Sequence, residues 1–85
     1  MAKLNLFDAV PLIVNEQLEG YGDYEIKPYN VNKVINTIFL RTDLPDNANN
    51  RATVKTMVKN AINLMLYKSN DFMNMIYEIE SDLNN

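Results

Sequence analysis

Apolar residues recur at helical spacing in four separate stretches of this chain, and strict alternation never lasts beyond a handful of residues. Hydrophobic period is the primary local constraint on what a sequence can fold into, so the expectation is an all-α domain. Val10, Ile13, Val14 and Leu18 mark the first stretch, and Val31, Val34, Ile35, Ile38 and Phe39 the second. Val54, Met57, Val58, Ala61, Ile62, Met65 and Leu66 mark the third, and Phe72, Ile76, Ile79 and Leu83 the fourth. With 85 residues, 47% hydrophobic and 22% charged, the chain has material for one core, and residues 1–85 read as a single helical domain.

Turn-forming residues divide the four stretches. Residues 3–7 alternate, with Leu4 and Leu6 on one side, and read as an extended N-terminal arm. Asp8 reads as the N-cap of a helix over 8–19, which sets Ala9, Val10 and Pro11 at its first three positions, where proline's missing N–H does no harm. Gly20 falls where a left-handed residue closes a helix. Residues 20–29, punctuated by Gly20, Gly22 and Pro28, read as a Tyr/Gly loop between helices 1 and 2. Asn30 or Asn32 can cap a helix over 31–42, which Leu44-Pro45 stops. Residues 43–49 read as a turn, with Asp46, Asn49 and Asn50 as candidate caps for a helix over 50–68. Ser69-Asn70-Asp71 reads as a break before a fourth helix over 71–83. Run together, the last two helices would make a rod of about 50 Å at ~1.5 Å per residue, which would demand an oligomer. The break suits a chain of this length better.

Absent residue types exclude whole classes of chemistry. There is no cysteine and no histidine, so disulfides, Cys/His metal sites, thiol nucleophiles and imidazole bases are ruled out. Ser69 and Ser81 have no histidine to activate them. Asp43/Asp46 and Glu78/Asp82 are carboxylate pairs, but neither has EF-hand spacing or an evident cleft to raise a pKa. Gly20-Tyr21-Gly22 lacks the third glycine of a phosphate loop. No enzyme activity, metal or cofactor is expected. The apolar runs Ala9–Val14 and Ala61–Tyr67 fall far short of the ~20 residues that span a bilayer, and Met1–Asp8 lacks a signal-peptide pattern. The expectation is no membrane association and a cytoplasmic location. Fourteen asparagines, and lysine over arginine by six to two, are what AT-rich coding favours. With the small size, this points to a phage or mobile element and to the host cytoplasm.

Charge is laid out unevenly along the chain. Residues 51–68 carry Arg51, Lys55, Lys59 and Lys68 and no acid; residues 71–85 carry Asp71, Glu78, Glu80 and Asp82 and no base. Arg51, Lys55 and Lys59 repeat every fourth residue and line one helix face, with Asn63 continuing the row. One explanation is internal: in an antiparallel hairpin the acidic end of helix 4 lies beside the basic start of helix 3 and selects the register. The other is an anion- or partner-binding face. Nucleic acid is its weaker candidate, because three or four cations make a small footprint on a chain of net charge -3. An acidic protein fits as well.

Three of the five tyrosines, Tyr21, Tyr24 and Tyr29, fall within nine residues of the Gly-hinged loop. Tyrosine gives a large contact area and a hydroxyl that tolerates water, so the cluster reads as a partner-binding surface. The competing reading is that the rings fold back over the open end of the helices and cover the core. Met57, Met65, Met73 and Met75 read mainly as core filling. Met73 and Met75 also widen the apolar face of helix 4, which suits a self-association seam and a homo-oligomer. The function expected on these grounds is non-catalytic protein binding, as an inhibitor or adaptor acting by surface occlusion. A homo-oligomeric assembly component and a nucleic-acid binder through the basic face are the alternatives.

Overall fold

A computed structural model describes residues 3–84 and contains four α-helices: α1 (Leu6–Leu18), α2 (Pro28–Arg41), α3 (Ala48–Leu66) and α4 (Asn70–Asn84). A single 3-10 turn, Asp23–Glu25, interrupts the loop between α1 and α2, and no strand occurs among the described residues. The all-α architecture, the short arm and the Tyr/Gly loop are those expected from the periodicity.

Both α1 and α3 pack on each of the other three helices, and α1 is the more deeply buried of the two. That position explains its composition. Ala9 through Val14 are buried without interruption, which an amphipathic surface helix would not tolerate. Around it the core is filled by Val34, Ile35 and Ile38 of α2, by Val54, Val58 and Ile62 of α3, and by Phe72 and Ile76 of α4. Phe72 is the largest side chain wholly removed from solvent.

Local chemistry sets the helix boundaries, and it corrects several expected caps. Asn5 caps α1, not Asp8. The Asp8 N–H donates to Asn5 Oδ1 at 2.9 Å, and Asn5 Nδ2 donates to Asp8 Oδ2 at 2.9 Å. Asp8 therefore sits in the first turn, where its charge complements the helix dipole. Pro11 lies in the second turn, deeper than its expected place. The Phe7 carbonyl thereby loses its i+4 donor, at a residue that faces solvent. Closure of α1 matches expectation: Gly20 has φ +93°, and the Tyr21 N–H donates to the Leu18 carbonyl at 3.1 Å. With Glu19 at φ -58° and ψ 131°, this is a type II turn, which needs glycine at its third residue.

Pro28 is the first residue of α2, so the helix begins three residues before its expected start, on an extended Lys27. Asn30 does serve this end, but from inside the helix: the Lys27 N–H donates to its Oδ1 at 2.9 Å. At the other end, the arm supplies donors. Lys3 Nζ donates to the Leu40 carbonyl and the Leu4 N–H to the Arg41 carbonyl, both at 3.0 Å, so exposed ends of the helix ladder find partners. The arm is shorter than expected, because Leu6 and Phe7 already belong to α1.

Asn47 caps α3 by accepting from the Asn50 N–H at 2.9 Å, and Asp46, Asn49 and Asn50 do not. The break between α3 and α4 comes at Tyr67–Ser69. Lys68 adopts φ 52°, its N–H donates to the Met65 carbonyl, and the Ser69 N–H donates to the Leu64 carbonyl, each at 3.0 Å. This is a Schellman closure with lysine in the seat usually held by glycine. The longest dimension of the Cα trace, 33 Å, leaves no place for the alternative 50 Å rod.

Candidate partner-binding surface

The three tyrosines sit on three different local structures. Tyr21 follows the Gly20 turn, Tyr24 is central in the 3-10 turn, and Tyr29 is the second residue of α2. Their exposures are 41%, 81% and 70%. Tyr24 and Tyr29 therefore stand out into solvent, whereas Tyr21 is more than half covered; Ile26, from the same segment, packs against the core. Gly22 has a specific part in this. A ring carbon of Tyr24 lies 3.1 Å from where a β-carbon on Gly22 would sit, so the ring rests on bare backbone.

Beside the loop lies a cleft of about 550 Å³, whose lining includes Asn15, Glu19, Tyr21, Met65, Leu66 and Met73. Tyr21 forms part of its wall. Met65 and Leu66 belong to the third hydrophobic stretch and Met73 to helix 4, and the Schellman turn is what brings them to α1's last turn. Tyr67, at the end of α3, is 84% exposed and adjoins that turn. Sequence reasoning missed it, because it ends an apolar run that reads as buried.

The basic stripe divides into two parts. Arg51 is engaged within the chain: its Nε and Nη2 donate to Asp46 Oδ1 and Oδ2 at 2.6 and 2.9 Å. Its Nη1 donates to Asn36 Oδ1 at 3.1 Å, and the guanidinium stands 5.1 Å from the centre of the Phe39 ring. The hydrogen bonds from Arg51 hold the Asp46 carboxyl below its ordinary pKa, and Asp46 in turn raises that of Arg51. Lys55 and Lys59 are exposed and join no ion pair among the described residues. The internal explanation of the stripe is therefore corrected. The acids of α4 form no ion pair with α3, and the ion pairs among the described residues are Arg51–Asp46 and Arg41–Glu16. Local geometry decided this, since Asp46 reaches Arg51 from the turn just before α3.

No protein-family model, curated protein or solved structure matches this chain.

The functional reading accordingly rests on the side chains themselves. Among the described residues no group of three or more carboxylates is placed to hold a metal ion. Ser69 lies in the α3–α4 turn, where its backbone closes one helix and opens the next, and Ser81 is exposed on α4. Among the described residues no helix is long and apolar enough to cross a membrane. With Arg51 engaged, Lys55 and Lys59 are what remains of the stripe for a nucleic-acid backbone. Neutralising two phosphates gives a salt dependence of only about the second power.

Proposed function

We propose that this chain is a non-catalytic protein-binding module, an inhibitor or adaptor that acts by occluding a surface of another protein. The observation that carries this reading is the exposure of Tyr21, Tyr24 and Tyr29 along one short segment, with Tyr21 lining a cleft that Met65, Leu66 and Met73 share with Glu19, Asp23 and Lys68. Rings that had a purely structural task would lie over the core. These meet solvent, and aromatic side chains beside a concave, partly apolar surface are what binding hot spots use. Tyr21 and the Met65–Leu66–Met73 floor would receive an apolar side chain of the partner, and Tyr24 and Tyr29 would flank it. The Asn- and Lys-rich composition supports a phage or mobile-element source, and so a host protein in the cytoplasm as the target.

The test compares wild type with Tyr21→Ala/Tyr24→Ala/Tyr29→Ala in affinity capture from host lysate, with circular dichroism as the check on folding. The three rings are exposed, so the variant keeps its helicity. Captured proteins specific to wild type should be lost, with affinity falling about 30-fold or more for each ring that acts as a hot spot of ~2 kcal/mol. Equal capture by the folded variant refutes the assignment.

A further inference from the structure

The cleft beside Tyr21 combines three kinds of surface. Its volume of about 550 Å³ falls within the range of ligand sites, roughly 300–1,000 Å³, and leaves room for side chains of a partner. Met65, Leu66 and Met73 give it an apolar part, and Tyr21 an aromatic one. Glu19 and Asp23, one on each side of the Gly20–Gly22 segment, add two carboxylates. Both residues are exposed and join no ion pair among the described residues. The stretch that supplies them, residues 4–26, contains five acids and no lysine or arginine.

Those three surfaces set the chemistry of an occupant. An apolar side chain alone would cover Met65, Leu66 and Met73 but strip water from Glu19 and Asp23 with nothing in return, which is unfavourable for a carboxylate. An acidic occupant would add like charge. A cation on an apolar stem meets all three surfaces. Arginine suits them better than lysine: its planar guanidinium stacks on an aromatic ring, is weakly hydrated, and binds a carboxylate through two N–H groups. Lys68 also lines the cleft, and it forms no ion pair with either acid. Its single ammonium leaves one carboxylate in excess and competes with an incoming cation.

We propose, building on the protein-binding role above, that the partner presents an arginine next to an apolar residue and that this pair docks in the cleft. The apolar side chain seats on Met65, Leu66 and Met73. The guanidinium lies against Tyr21 and donates to Glu19 and Asp23. The acids steer the approach and reject acidic surfaces, and the apolar contact holds what they select.

Amide chemical shifts of the isotope-labelled intact chain test this with defined peptides. The probe is Gly-Ser-Leu-Arg-Ser-Gly, and its controls carry citrulline or glutamate in place of arginine. The arginine peptide should shift the amides of Glu19–Asp23, Met65–Lys68 and Met73, and bind less tightly as salt is raised. Citrulline keeps the shape and loses the charge, so its peptide should bind about tenfold more weakly, as should the arginine peptide to Glu19→Gln/Asp23→Asn. Lys68→Gln removes the competing ammonium and keeps the β-carbon, and should bind the arginine peptide more tightly. All three positions are exposed, so circular dichroism should find both variants as helical as wild type. Capture from host lysate separates the two proposals: capture lost in the tyrosine triple variant but kept in Glu19→Gln/Asp23→Asn overturns the arginine assignment and leaves the binding role standing. An arginine peptide that shifts none of these amides, a citrulline or glutamate peptide that binds as tightly, an acid variant that binds unchanged, or a Lys68→Gln chain that binds no tighter also overturns it.

Discussion

Lys68 shows at the scale of one residue how a helix end is decided. It is the non-glycine residue with positive φ among those described, and the two 3.0 Å hydrogen bonds around it close α3. A β-carbon in the left-handed region is unfavourable by about 1–2 kcal/mol, partly offset by the lower unfolded-state entropy of a residue other than glycine. Lys68→Gly should therefore raise stability by about 1 kcal/mol, seen as a higher urea midpoint with unchanged slope. Lys68→Ala separates the causes. It keeps the strained β-carbon and should give little gain, whereas an equal gain would mean that the lysine charge was the problem. Gly20 was legible in advance because glycine advertises its conformation; lysine does not, and the break was accordingly expected two residues too late. The same limit applies to caps. Asn5, Asp8, Asp46, Asn47, Asn49 and Asn50 are near-equals as N-cap residues. Which of them acts depends on whose backbone is extended, and their identities do not reveal that.

Between elements, the Asp46–Arg51 pair joins the turn before α3 to its first turns, and Asn36 and Phe39 tie the same guanidinium to α2. Arg51 depresses the Asp46 pKa. A carboxylate with a lowered folded-state pKa adds stability that is complete above its unfolded value of about 3.9 and disappears as pH falls through the folded value. Wild type should thus exceed Asp46→Asn in thermal midpoint at neutral pH. The gap should close as pH falls below about 4, and a gap independent of pH would contradict the assignment. High salt should narrow it too, because both groups are exposed. The four-residue spacing of Arg51, Lys55 and Lys59 was legible as a stripe. That Arg51 alone would be engaged was not, because a long side chain reaches a preceding turn as readily as a neighbouring helix.

For the whole molecule, stability hangs on few side chains. A domain of 85 residues is expected to hold about 4–13 kcal/mol. Phe72 is fully buried and touches the common core, so Phe72→Ala should cost about 3–5 kcal/mol. Calorimetry or urea titration should find the variant barely folded or unfolded. By contrast, Tyr24→Ala should stay within about 0.5 kcal/mol of wild type, as exposed positions do. A large loss there would mean the ring supports the fold after all.

Four helices, their approximate spans and the apolar positions that face inward followed from the sequence by itself, because the 3.6-residue period is a local property of the chain. Exclusion of thiol and imidazole chemistry followed from the missing residue types. Only the tertiary structure decided that α1 is the most deeply buried helix, that three tyrosine rings meet solvent, and that Lys55 and Lys59 join no ion pair among the described residues. Each of those depends on which surface lies opposite in space. Contacts between residues far apart in sequence are set by packing the whole core at once, and no local spacing encodes them.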